Sequence, residues 1–155
     1  MNFSWGASGA MLCLALGFGS TAMAQDSGNI GTLTLYGNGG ETDTNTCKIP
    51  MKDGRVVMGK SYGCKNDDYY YFKITTGQPG TIITFGDSPS CSTSEPVYKY
   101  LIVGGRGEEL NMTAISELAH DGSTNKFVQG HLETFGSPKK GRLSGKLSCV
   151  QFSKY

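Results

Sequence analysis

"CKNDDYYYFKI" (Cys64 to Ile74) decides how the rest of the chain reads, because an acidic turn runs directly into four consecutive aromatic residues. Asn and Asp side chains bond to nearby backbone and tolerate left-handed dihedrals, so Lys65 to Asp68 reads as a turn. The aromatic run that follows has strand chemistry. Side chains alternate across a strand, which predicts Tyr70, Phe72 and Ile74 on one face and Tyr69, Tyr71 and Lys73 on the other. The set ending in Ile74 is the natural core face. The set ending in Lys73 is expected to be displayed to solvent.

Working outward, the same chemistry recurs between turns rich in glycine, of which the chain has 23. "GTLTLYG" alternates, with Leu33 and Leu35 on one face and Thr32, Thr34 and Tyr36 on the other. "GRVVMG" and "GTIITFG" are apolar runs bounded by glycine. "VYKYLIV", "KFVQGHLETF" and "RLSGKLSCVQF" continue the pattern. Only "EELNMTAISELAH" offers a helix, which Asn111 and Thr113 weaken. Short strands at this spacing predict an all-β fold, an antiparallel Greek-key sandwich or small barrel.

Two of these segments give the chain a resemblance to βγ-crystallin-type domains over residues 31–118. Each half of such a domain opens with an alternating strand and closes with an Asn/Asp-rich turn leading into a strand of the form N-D-x-I-S-S-I-K-V. "GTLTLYG" opens a first half here, and "NDDYYYFKI" matches the closing pattern at Asn66, Asp67, Tyr69, Phe72, Lys73 and Ile74. "GTIITFG" opens a second half, which "MTAISEL" (Met112 to Leu118) would close. The resemblance implies calcium held between acidic turns and a hydroxyl, for which Asn66, Asp67 and Ser116 are the candidates. Tyr70 stands at one hydroxyl position, and Met112 and Thr113 stand at acidic ones. Calcium favours several oxygen ligands, so no cofactor is expected.

Residues 1–24 read as a signal peptide. The apolar run "AMLCLALGF" is too short to span a bilayer, and Ala22 and Ala24 supply the small residues a signal peptidase requires. The remainder, residues 25–155, is one domain's length. It keeps Cys47, Cys64, Cys91 and Cys149. An even number of cysteines in an exported chain predicts two disulfides. Three pairings are possible, and Cys47–Cys64 with Cys91–Cys149 is the favoured one, because the first pair brackets an apparent hairpin. Loop-closure entropy assigns these bridges roughly 3 and 4 kcal/mol. With 14 basic and 13 acidic residues the net charge is +1, which argues against a dedicated polyanion binder. Acids concentrate between Asp87 and Asp121 and bases between Lys126 and Lys154, so opposite charged sides are expected unless those segments interleave.

For catalysis the candidates are His120, His131 and Glu133, since "HLE" places an imidazole and a carboxylate on one strand face. Such a set would suit a small secreted ribonuclease. No G-x-S-x-G elbow or free thiol accompanies it. The stronger candidates are for binding. Tyr69 and Tyr71, with Tyr98 and Tyr100 alternating in "VYKY", would line one sheet face with contact area and polar tips. The basic turn "GSPKKGRLSGK" adds Lys139, Lys140 and Arg142. The expected role is therefore a secreted or periplasmic binding protein without enzymatic activity, an inhibitor, toxin-like or host-interaction factor. It would recognise an extracellular protein or glycan, with no sequence-specific nucleic-acid contact and no membrane span.

Overall fold

The computed structural model describes residues 30–104, 110–115, 127–129, 132–136 and 141–155. Among these residues ten strands run β1 (Thr32–Tyr36), β2 (Thr46–Pro50), β3 (Gly54–Val57), β4 (Tyr71–Thr75), β5 (Thr81–Gly86), β6 (Val97–Ile102), β7 (Leu110–Ala114), β8 (Phe127–Gln129), β9 (Leu132–Thr134) and β10 (Cys149–Lys154). A single 3-10 turn, Gly40–Thr42, is the only helical element among the described residues. Every strand pairing is antiparallel, in a four-stranded sheet of order β2-β1-β4-β7 and a six-stranded sheet of order β3-β10-β5-β6-β9-β8. The all-β expectation holds.

The strand orders carry an internal repeat. Replacing β1, β2, β3 and β4 by β5, β6, β7 and β10 converts β2-β1-β4-β7 into β6-β5-β10-β3, the run found in the second sheet. Each half therefore gives its third strand to the other half's sheet. The strand that matches β4 is thus β10, whereas residues 110–114 form β7 beside β4. Those residues are strand, not the helix that "EELNMTAISELAH" allowed; residues 116–120 of that stretch lie outside the described residues. The segment bracketed by Cys47 and Cys64 is likewise no hairpin, because β2 and β3 lie in different sheets. β2 itself escaped the sequence reading: exposed Thr46 and Lys48 alternate with buried Cys47 and Ile49, but the run is short and ends in Pro50.

Burial follows the pleat. Leu33 and Leu35 of β1, Ile49 of β2, and Phe72 and Ile74 of β4 face inward, meeting Ile83 and Phe85 of β5, Tyr100 and Ile102 of β6, and Val150 and Phe152 of β10. Phe72 lies 4.9 Å from Phe85 and 5.5 Å from Tyr100 between ring centroids, so three rings from both sheets meet mid-core. Each such side chain contributes about 1.5–3 kcal/mol by leaving water. β5 is buried along its whole length. Its outer face is covered at one end by the loop after it, where a Cβ on Gly86 would lie 3.0 Å from the Cys91 Cα.

Cys47 is bonded to Cys64 and Cys91 to Cys149, the expected pairing, with Cα separations of 5.2 and 5.5 Å. The first bridge ties β2 to the segment before β4. The second ties the loop between β5 and β6 to the start of β10. No described helix is long and apolar enough to cross a membrane. The acid-rich and base-rich segments interleave, because β6 of the first lies beside β9 of the second. Opposite charged sides do not follow from them.

Candidate functional site

Both strand registers and backbone hydrogen bonds place the segments 37–45, 58–70, 87–96 and 141–148 at one end of the sandwich. Met58 N–H donates to Ser148 O at 3.0 Å, Asp67 N–H to Leu147 O at 3.2 Å, and Ser148 N–H to Gly86 O at 2.9 Å. The segments 51–53 and 76–80 gather at the other end, where Ile30 N–H donates to Met51 O and Tyr155 N–H to Gly80 O.

The expected tyrosine platform is corrected by these placements. Tyr69 is fully buried, because β4 begins only at Tyr71 and alternation does not extend back to residue 69. Its side chain enters the core and its hydroxyl accepts the Lys65 N–H at 3.0 Å. Tyr98 and Tyr100 do share a face, but it is the inward one, opposite Phe85 and Ile83. Their hydroxyls donate to Gly141 O at 2.6 Å and Ile115 O at 2.9 Å. Burial, then the neighbouring Tyr98, push the Tyr100 phenol far above its usual range. Tyr70, expected in the core, is half-buried and covers Gly145, where an added Cβ would lie 2.6 Å from its hydroxyl. Gly145 also has a left-handed φ of +73°, so only glycine fits there without strain.

Tyr71 alone of the four remains outward, half-buried on the solvent face of the four-stranded sheet. Directly opposite it stands Tyr36, which puts their Cβ atoms about 5 Å apart. The next row holds Lys48, Thr34 and Lys73. The Lys73 ammonium donates to the Glu41 carboxylate at 3.1 Å.

The loop end carries a residue that alternation could not flag. Tyr62 is 53% exposed, and among the described residues only it and the terminal Tyr155 are large hydrophobics in solvent. Its φ is +56°, left-handed for a residue with a bulky side chain, an arrangement that costs about 1–2 kcal/mol. The loop around it is closed tightly. Gly59 N–H donates to Cys64 O at 2.7 Å, Cys64 N–H to Ser61 O at 3.1 Å, and Cys64 is held by Cys47. Lys60 and Lys65, on either side of it in the sequence, are exposed. Lys65 pairs with Asp68 at 3.6 Å. The available signal was "SYG", a tyrosine before glycine within the cysteine bracket, which periodicity does not weigh.

Asp43 organises the adjoining loop. It accepts the Asn45 N–H at 2.8 Å and the Gly39 N–H at 3.0 Å. These bonds, the Asn45 one foremost, lower its carboxyl below the ordinary range. Of the calcium candidates, Asn66 donates its amide to Asp67 Oδ2 at 2.6 Å, and Ser148 Oγ lies 3.4 Å from Asp67 Oδ1; Ser116 lies outside the described residues. No cluster of three His, Cys, Asp or Glu side chains exists among the described residues. His120, His131, Lys139 and Lys140 also lie outside them. Glu133 is half-buried on β9 opposite Leu101, and Arg142 is exposed. Comparison with protein-family models, curated proteins and solved structures finds no match for this chain.

Proposed function

We propose that the chain is a secreted, non-enzymatic recognition protein whose anchor is Tyr62. It would be exported by the leader at residues 1–24 and would act outside the cytoplasm as an inhibitor, toxin-like or host-interaction factor on an extracellular protein or glycan. The observation that carries the reading is an aromatic side chain held in solvent at a strained dihedral, on a loop closed by Cys47–Cys64. Strain at a non-glycine residue points toward a functional role rather than toward stability. Tyrosine is enriched among residues that dominate binding energy. A loop already fixed in the free protein loses little freedom when bound, which favours affinity. The left-handed backbone at Tyr62 differs from the extended conformation of a peptide laid along a partner's strand. The ring therefore acts as a knob entering a pocket.

Two oxidised disulfides suit an extracytoplasmic setting. The exchange of third strands between matching halves supports extending the crystallin-type resemblance from residues 31–118 to the C-terminal strand. That plan supplies the scaffold and says nothing by itself about the partner.

The experiment immobilises the oxidised protein from residue 25 onward and exposes it to extracellular fractions from candidate hosts or competitors. Wild type, Tyr62→Ser and Arg142→Ser serve as parallel baits, with folding checked by circular dichroism. A component retained by wild type and by Arg142→Ser but lost from Tyr62→Ser supports the reading. Equal retention by all three rejects it. Pretreating the fraction with protease or periodate separates a protein partner from a glycan.

A further inference from the structure

The loop between β1 and β2 contains a second kind of chemistry, independent of the binding role. The chain has asparagine at positions 38, 45, 66 and elsewhere, but only Asn38 precedes glycine. Asn45 is half-buried and its amide nitrogen approaches Asp68 O at 3.4 Å. Asn66 is engaged by Asp67. Asn38 is exposed, and its carboxamide has no hydrogen-bond partner among the described residues. Gly39 beside it is exposed as well, with no side chain to shield its nitrogen.

We infer that Asn38–Gly39 is a self-modification site at which the folded protein deamidates. The Gly39 nitrogen attacks Cγ of Asn38, forming a five-membered succinimide. The Gly39 N–H donates to Asp43 Oδ2 at 3.0 Å; once that bond opens, hydroxide takes the proton, and water returns one to the leaving nitrogen. The Cγ–Nδ2 bond breaks and the amide nitrogen leaves as ammonia. Water then opens the ring at either carbonyl, giving aspartate or isoaspartate at position 38. The net change is one water consumed and one ammonia released, with no oxidant or cofactor.

The product alters the loop in two ways. It places a new carboxylate in the loop that already carries Glu41 and Asp43. Ring opening to isoaspartate also adds a methylene to the backbone between positions 38 and 39. That link lies inside the turn closed by Gly40 N–H to Gly37 O at 3.2 Å, so the turn must reopen.

Folded protein is incubated at neutral pH with disulfides intact, then digested and mapped by mass spectrometry. The expected result is an amide-to-acid mass gain confined to the peptide bearing Asn38, with an isoaspartyl fraction detected chromatographically. Asn38→Gln should lose that gain, because closure there requires a six-membered ring. Gly39→Ala, whose φ of −79° suits alanine although its Cβ would lie 3.3 Å from the Asp43 Cβ, should also slow it, with circular dichroism checking that the fold is kept. Two outcomes overturn the inference. One is no gain at Asn38 in the folded protein when a peptide of the same sequence deamidates alongside. The other is gain spread equally over Asn45 and Asn66.

Discussion

Replacing Tyr62 by glycine should make the protein more stable. The left-handed dihedral of +56° costs a bulky L-residue about 1–2 kcal/mol and glycine almost nothing. Glycine in turn raises the entropy of the unfolded chain, an effect of about 0.4–1 kcal/mol against it. The side chain is 53% exposed and has no ring contact in the core, so its removal forfeits little packing. The balance is a gain of about 0–1.6 kcal/mol for Tyr62→Gly. Tyr62→Ala retains the strain and should stay within about 0.5 kcal/mol of wild type, as surface substitutions do. Urea unfolding of the oxidised protein, followed by tyrosine fluorescence and far-ultraviolet circular dichroism, measures both. Loss of stability in Tyr62→Gly, beyond the error of extrapolation, would refute the reasoning. It would mean that the ring packs for structure and that the dihedral carries no cost relieved by glycine.

Further outcomes follow from the core and its ties. Tyr100→Phe leaves Ile115 O without its buried donor, and should cost about 1–3 kcal/mol by thermal unfolding; a neutral result would place that hydroxyl in water. Opening Cys91–Cys149 by double serine substitution should cost roughly 4 kcal/mol, against roughly 3 for Cys47–Cys64, because the closed loops span 58 and 17 residues. The reverse order in denaturant titrations would contradict the loop-closure account. Asp43 has a lowered folded pKa, so its contribution is present above the unfolded carboxylate value and lost as pH falls through the folded one. Hydrogen exchange at the Gly39 and Asn45 amides should accordingly be faster in Asp43→Asn than in wild type at neutral pH. The gap should close in acid, and a gap independent of pH would exclude the carboxylate as its source.

Much of the architecture was legible because the pleat leaves a period of two in the sequence. Leu33 and Leu35 against Thr32 and Tyr36, and Phe72 and Ile74 against Tyr71 and Lys73, sort as the burial does, while Thr34 on the outward side of β1 is buried as well. Cysteine parity gave the number of bridges, and the favoured pairing holds although the hairpin that suggested it does not form. The site was less legible, for three physical reasons. A strand's period holds only where the strand exists, and Tyr69 falls two residues before β4 begins. Alternation also names two faces without saying which is inward, and in β6 both are apolar enough to qualify. Val97 on the outer face is buried anyway, beneath the tethered loop after β5. Finally, a residue such as Tyr62 owes its exposure to a closed turn and a bridge, which leave no periodic trace.

The account rests most heavily on Tyr62 as the contact that holds a partner. Calorimetric titration of the captured partner with wild-type and Tyr62→Ser protein tests this directly. An anchor residue contributing about 2 kcal/mol or more predicts affinity weakened at least about 30-fold, with unfolding midpoints unchanged. Affinity equal within error for two equally folded proteins would contradict it.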